Sequence, residues 1–573
     1  MIRAVAVVVC ALVLAPCAAA AESRLTEDQA VAAFLRHPKV ADWLDRYPER
    51  GRIEDADYDA KSGAWTVHVW WREAGEIATG KVDDSSRRVT EAWTGPQVAW
   101  KMARGYDGAF GGKTINRPEV WLALCALFLV GLVDWRRPLS VRTLDLLVLL
   151  SFSVSLWFFN EGDVFTSMPL VYPAFAYLLG RMVWVGLHGR SSSRSAAFWP
   201  VWILAAATVF LAGFRIGLNL QGSNVIDVGY SGVIGAHRIV NGEAPYGHMP
   251  AQGKLRPCGD ADAEGEIRER IQTNGRCESS NERGDTYGPV SYVAYIPGYL
   301  LLGWTGKWDD LPAAHFTSIA LDLIAMLGLA LVGRRFGGLP LAVGLSFAWA
   351  AYPFTQYVSN SNTNDALPAL LLVWGFWLVS APWARGAFAA LAGWAKFSAL
   401  LVAPLWAGYP DAVRLRRPRG PLLFAAGFAA ATLAAFSILL LEPDPVHAAR
   451  VFWDRTLGWQ LGRESPFSIW DWGQYHAAGI PDLRLVQLPL IGLVLAGAVA
   501  AAFYPRRRSP LQLAALTGAL LIAFELVLTH WSYLYIPWFA PFVLFAVLAP
   551  SRSERAGPEP VPSPERRELV AVR

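Results

Sequence analysis

The chain has 573 residues, 54% of them apolar and 26 of them Trp, and its mean hydropathy is positive, a balance that a bilayer solvent explains and an ordinary soluble domain does not carry. Its 51 Lys and Arg against 47 Asp and Glu leave a formal net charge of only +4. The basic residues form short separate clusters instead of one stripe, so nucleic acid is excluded as an expected partner.

Residues 1–21 read as a secretory signal: Arg3, an apolar run from Ala4 to Ala15, then Ala18 to Ala21 before Glu22. A retained signal anchor is the alternative, and Pro16 before Cys17 fits a lipid-attachment motif poorly. Residues 22–115 are rich in charge and predict a small exported α+β domain. Thr26-Glu27-Asp28-Gln29 fits a capping box that starts a helix, while Trp65-Thr66-Val67-His68-Val69-Trp70-Trp71 alternates at period two after the turn Lys61-Ser62-Gly63, as a strand in a meander does.

From Pro118 to 549 the chain is a series of apolar runs of the 17 to 25 residues that a helix needs to cross hydrocarbon. Eleven spans are expected, at about 118–134, 142–160, 168–187, 197–214, 312–332, 339–358, 365–381, 421–441, 485–503, 510–528 and 533–549. The basic clusters Arg136-Arg137, Arg190 with Arg194, Arg334-Arg335, Arg385, Arg414 to Arg419, Arg506 to Arg508 and Arg552 belong on the cytoplasmic side. This scheme treats 288–303 as a membrane-surface helix and 386–409 as a re-entrant hairpin; if each crossed once, thirteen spans would result. The expected fold is therefore an all-α polytopic bundle of about 11 to 13 transmembrane helices with a small exported α+β domain. The segment 550–573 lacks apolar residues to bury and is expected to be a disordered cytoplasmic tail.

This topology gathers the loop 215–286, residues 359–365, the loop 442–484 and residues 529–533 on the exported side. Asp227 opens a segment in which Tyr230, Val233, Ile234, His237 and Val240 recur at helical spacing before Asn241-Gly242, which predicts a helix lying on the membrane surface. Asp227 reads equally as the cap of that helix or as a catalytic group, with Arg238 three turns on along the same stripe. Cys258 and Cys277, the two exported cysteines, suggest one disulfide across a flap, a closure that would contribute on the order of 3 kcal/mol. Tyr287 is an interfacial anchor or a substrate contact. Of Asn360, Asn362, Asn364 and Asp365, one suffices to cap the next helix and the others have the paired donors and acceptors that sugar hydroxyls need. His530 lies in a hinge between two spans and reads first as structural. Asp322 and Glu525 lie inside apolar spans and need a function or a partner; Lys396 is read as snorkelling to the cytoplasmic surface. No P-loop, GxGxxG turn, zinc-ligand cluster or nucleophile elbow is present.

An acidic residue outside an early span, a following helix, Asn241-Gly242-Glu243-Ala244-Pro245-Tyr246, and then Asp285-Thr286-Tyr287-Gly288-Pro289 at the next membrane entry together resemble the GT-C membrane glycosyltransferases, and within them glycosyltransferase family 87, over about residues 200–545. The family commonly has Tyr-Pro-Pro where this chain has Tyr287-Gly288-Pro289. Residues 22–115 faintly resemble PepSY-type domains. The resemblance implies a hexosyltransferase that takes a sugar such as mannose from a polyprenyl-phosphate carrier and passes it to a glycolipid, glycan or protein acceptor at the exported face. It implies Asp227 as general base. Arg238, and less directly Arg215, would hold the phosphate, with His237, Tyr246, Asp285, Tyr287, Asn362, Asn364 and His530 as substrate contacts. Asp227 with Asp285 could share a divalent metal, but no acidic cluster demands one. The alternatives are a transporter or flippase with an exported sensing domain, for which no internal repeat is found, and a binding protein that has lost catalysis.

Overall fold

The structure, a computed structural model, describes residues 23–550 except 48, 61, 72–74, 96, 97, 99–109, 190–198, 252–255, 260–268, 272–274, 276, 309, 414–417, 464, 476–480 and 482. The expected signal sequence, the tail after Pro550, and Arg190, Arg194, Arg414 and Arg552 lie outside the described residues. The chain divides into two units: Met1–Tyr106 with Ile469–Arg484, and Asp107–Ser468 with Leu485–Arg573. The smaller unit thus takes in a stretch of the 442–484 loop. Tyr475 supplies the reason, since its ring packs 5.4 Å from that of Trp93 and lies 4.5 Å below the Lys39 ammonium.

In the small unit Thr26 and Gln29 close a reciprocal capping box at the start of Glu27–Leu35, and Pro38–Leu44 follows. Four antiparallel strands, β1 (Arg52–Asp59), β2 (Ala64–Trp71), β3 (Gly75–Asp83) and β4 (Val89–Thr94), pair in sequence order as a meander. The alternation in β2 buries Trp65, Val67 and Val69 beneath the helices, where Phe34 lies so close to Gly80 that a Cβ there would meet its ring at 2.4 Å.

Asp84 ties the entry of the chain to this sheet, accepting from the amides of Arg24 at 2.8 Å and Leu25 at 2.9 Å and from the Trp65 indole at 3.1 Å. Burial works against the charged form, but these donors outweigh it and hold the Asp84 carboxyl below the usual carboxylate value. The unfolded chain therefore binds this proton more readily than the folded one. The stabilisation is complete above about pH 4, the ordinary Asp value, and is lost as pH falls through the lower folded value. Acid unfolding of the small unit, followed by tryptophan fluorescence, should be less steep below about pH 4 in Asp84→Asn than in the wild type. Equal acid sensitivity would remove Asp84 from this role.

The larger unit is helical. Among the described residues, five helices are long and apolar enough to cross a membrane: Val141–Asn160, Val164–His188, Val201–Gly222, Pro312–Ala351 and Arg419–Leu441. Shorter apolar helices include Pro118–Leu132, Ala366–Trp377, Arg484–Ala500, Pro510–Leu526 and Tyr533–Leu548. Leu122, Trp157, Trp202, Phe210, Leu433 and Leu493 are each more than half exposed on these helices, as side chains facing lipid are. The runs expected at 312–332 and 339–358 meet in a tight reversal at Gly338, where φ is 73°, and Pro353–Asn360 continues the second. The span expected at 197–214 continues to Gly222, so Arg215 lies inside a helix and not in an exported loop.

The apolar segment 288–303 forms two short helices, Pro289–Val293 and Ile296–Leu302, each too short to cross a bilayer. Residues 382–407 form a hairpin with legs Pro382–Ala395 and Phe397–Ala407 that meet at Lys396. Small residues set its outer leg against Arg419–Leu441: a Cβ on Gly386 would fall 2.0 Å from the Phe424 carbonyl oxygen, and one on Gly427 would fall 1.9 Å from that of Trp383. At the end of the bundle opposite Lys396, arginines close helix C-termini. Arg385 donates to the carbonyls of Val379, Trp406 and Tyr409, and Arg508 to those of Gly408 and Ala501.

Candidate functional site

The segment that delivers Asp227 is held by the Asn-rich turn. After Gly222 the chain runs beside residues 360–362, with the Asn224 amide donating to the Asn360 carbonyl at 3.2 Å and the Ile226 amide to that of Ser361 at 3.4 Å. Asn362 occupies the left-handed region with φ 52°, which asparagine tolerates better than most side chains. Its amide donates to Ser223 Oγ at 2.9 Å and to the Asn224 carbonyl at 2.8 Å, and accepts from Asn219 at 2.9 Å. Asn362 is therefore consumed as a brace for the Asp227 segment, which corrects its expected role as a substrate contact.

Asp227–Val240 is a helix packed into the protein, with every residue from Val228 to Ala236 buried. The reason lies in Gly229, Gly232 and Gly235, one face of which the hydrophobic spacing gave no hint. A Cβ at these positions would fall 2.2 Å from the Asn362 carbonyl oxygen, 2.4 Å from the Tyr295 ring and 2.2 Å from the Tyr292 ring. Ile226 is the N-cap and makes no side-chain cap bond, so Asp227 does not act as the cap. Asp227 stands exposed in the first turn, where the helix dipole favours negative charge, and its carbonyl accepts from Asn281 at 3.2 Å.

Tyr287 marks the centre of a charged group around this carboxylate. Burial first, and then the Asp227 carboxylate, push its phenol well above the ordinary tyrosine value; Tyr535 and Asp365 add to the effect and Arg463 opposes it. Lys396 Nζ lies 4.2 Å above the Tyr287 ring and 3.1 Å from Asp365 Oδ1. Lys396 is buried at 8% exposure, so it does not snorkel to the far surface; Asp365 draws it to this end of the bundle. Arg463 donates to His530 Nε2 at 3.0 Å and lies 4.7 Å from the Trp459 ring, while His530 Nδ1 is 2.8 Å from Ser465 Oγ. Tyr535 is within electrostatic range of Arg463, Asp365, Asp227 and Glu525. One end of the bundle thus brings together an exposed carboxylate, two cations, a buried carboxylate and two phenols. Such a set can take a proton from a hydroxyl and balance the charge of a phosphate.

Several expected site residues fall elsewhere. Arg238 lies eleven residues, about 16 Å, along the helix from Asp227. It is buried and committed, donating to Glu278 at 2.9 Å and the His248 carbonyl at 3.0 Å. Arg215 is likewise committed, to Asp322 at 2.5 and 2.7 Å. Neither is free to hold a phosphate. His237 Nδ1 lies 2.8 Å from the Tyr299 hydroxyl, at the Arg238 end of the helix. Asp285 is buried with Oδ2 bound by Arg455 at 2.7 Å and by the Gly247 amide at 2.8 Å. Tyr246 supports the site from behind, donating to the Tyr287 carbonyl at 3.1 Å. Cys258 and Cys277 form a disulfide with their Cα atoms 5.8 Å apart, and β5 (Glu269–Ile271) pairs with β6 (Cys277–Ser279) beside it.

Lys396, Arg463 and Tyr535 were not read from the sequence as site residues. A lysine inside an apolar hairpin was the available signal for the first; Arg463 and Tyr535 carry no local signal. Among the described residues no group of three or more His, Cys, Asp or Glu side chains is placed to hold a metal ion. No known family model matches the chain, and no curated protein matches it to significance.

Proposed function

We propose that this chain is a multi-pass cell-membrane glycosyltransferase of the GT-C type, which moves a hexose such as mannose from a polyprenyl-phosphate carrier to a hydroxyl of a glycolipid, glycan or protein. The observation that carries this reading is the convergence of Asp227, Lys396 and Arg463 around Tyr287. Asp227 removes the acceptor proton as the acceptor oxygen bonds to the sugar C1. The bond from C1 to the phosphate oxygen breaks with its electron pair on the phosphate, whose charge Lys396 and Arg463 balance in place of Arg238 and Arg215. Arg334-Arg335, just ahead of the reversal at Gly338, and Arg506 to Arg508, in the turn between Arg484–Ala500 and Pro510–Leu526, fall at the opposite end of the helices, which supports an exported position for this site. Nucleotide sugars remain in the cytoplasm, so a donor carried in the membrane follows from that placement.

The test is reconstitution of the full chain in proteoliposomes with radiolabelled polyprenyl-phosphate mannose, polyprenyl-phosphate glucose or a nucleotide sugar. Transfer from a lipid-linked donor and none from the nucleotide sugar is the expected result. Transfer from the nucleotide sugar alone, or movement of the lipid sugar across the bilayer without bond formation, would sink the proposal and, in the second case, favour a flippase.

A further inference from the structure

Sharing Asp365 with the charged group is a set of buried polar side chains that leave individual atoms without a hydrogen bond. Asn364 is 1% exposed, and both its amide oxygen and its amide nitrogen lack a hydrogen bond. Asp365, also 1% exposed, faces Lys396 with Oδ1, and its Oδ2 has no partner. Neither residue caps the helix that follows, since Asp365 occupies the N-cap position without a side-chain bond. Glu525, 2% exposed, accepts from the Trp531 indole through Oε2 at 3.1 Å and leaves Oε1 unpaired. Ser398, two residues beyond Lys396, and the Trp538 indole nitrogen are also unpaired.

These groups belong together. The Asp365 charge reaches Glu525, both carboxyls lie within electrostatic range of Tyr535, and the Trp538 ring stacks on Tyr535 at 4.2 Å. A buried polar atom left without a partner is costly, and native interiors keep few of them. Here they cluster next to the one exposed carboxylate of the site. Their chemistry is also complementary to one kind of ligand. Carboxylate and amide oxygens accept from hydroxyls, an amide and an indole donate to them, and an aromatic face packs on the apolar side of a sugar ring. A phosphate would be repelled by the unpaired oxygens of Asp365 and Glu525 and attracted by Lys396 and Arg463 of the charged group.

We infer that Asn364, Asp365 and Glu525, with Trp538, form the subsite that reads the hydroxyls of an uncharged sugar ring, leaving the phosphate to Lys396 and Arg463. This inference rests on the donor class proposed above. It adds a selectivity: a neutral hexose fits, and a hexuronate, whose carboxylate would face Asp365 and Glu525, does not.

The test compares equilibrium binding of three probes to the full chain in nanodiscs: polyprenyl phosphate, polyprenyl-phosphate mannose and a polyprenyl-phosphate hexuronate. The wild type should bind the mannose lipid at least about tenfold more tightly than the bare phosphate lipid and gain nothing from the hexuronate. Asn364→Ala and the isosteric Glu525→Gln should each erase most of that advantage, with affinity for the bare lipid, which also reports folding, kept within about twofold. An unchanged mannose advantage in both variants overturns the subsite and leaves the donor class standing, and an equal advantage for the hexuronate overturns the selectivity. A wild type that binds none of the three overturns the donor class itself and the subsite with it.

Discussion

Asp227→Asn is expected to lower sugar transfer by about 10²- to 10⁴-fold while costing no more than about 1 kcal/mol of stability, the helix-dipole contribution of an exposed first-turn charge. The two halves of this expectation have separate origins. The carboxylate stands exposed and accepts no hydrogen bond from the described residues, so removing its charge breaks nothing that holds the fold. The bond from Asn281 goes to the Asp227 carbonyl and survives the substitution. The helix beneath is fixed by its glycine contacts and by the brace from Asn362, so the amide of the variant occupies the same place as the carboxylate. What it cannot do is accept a proton. Loss should therefore fall on kcat with KM for the lipid donor nearly constant, the signature of a group used in the transition state. Steady-state kinetics in proteoliposomes check it; a variant at the wild-type rate would mean that another group is the base.

Arg215→Ala and Asp322→Ala, by contrast, should each destabilise the fold by about 3–5 kcal/mol, because each strands the opposite charge in the interior. The guanidinium and carboxylate meet through two bonds, of 2.5 and 2.7 Å, at exposures of 1% and 4%. The Trp349 indole donates to Asp322 at 2.7 Å, and Arg215 donates further to the Ala350 carbonyl at 3.1 Å. Replacing both charges with apolar groups, as in Arg215→Met with Asp322→Leu, removes the stranded charge along with the bond, so the double variant should lie well above either single one in thermal stability. Melting curves in detergent decide the matter, and additive losses would show that the pair is not coupled. This pairing also gives Asp322 a structural explanation, which leaves it free of any need for a transport role.

The parts of the fold legible in the sequence are those set by local composition. The alternation of Trp65, Val67 and Val69 is a period-two signal that needs no knowledge of the rest of the chain, and the apolar runs mark helices because a bilayer imposes their length. Even the turn at Gly338 follows from a break between two such runs. The site was only half legible, for a related reason. Asp227 was visible as an acidic residue after an apolar span. The fate of Arg238 was not, because its partner Glu278 stands forty residues on, past the flap. Lys396 was misplaced by a local argument, since a lysine next to hydrocarbon is expected to reach for water, whereas Asp365 offered it an ion pair. Gly229, Gly232 and Gly235 raised no expectation because a hydrophobic pattern scores what a residue brings to a core and not what its absence admits.

The hairpin that ends on Lys396 has a mechanical consequence. Its outer leg meets the neighbouring helix backbone against backbone at Gly386 and Gly427, with no side chain between them to yield. An α-helix is stiff along its axis, so a displacement imposed at Gly386 arrives at Lys396, about 15 Å away, nearly undiminished. The leg is a stiff strut whose end carries an ammonium beside Tyr287 and Asp365, so the backbone contact at Gly386 helps to fix where that charge sits.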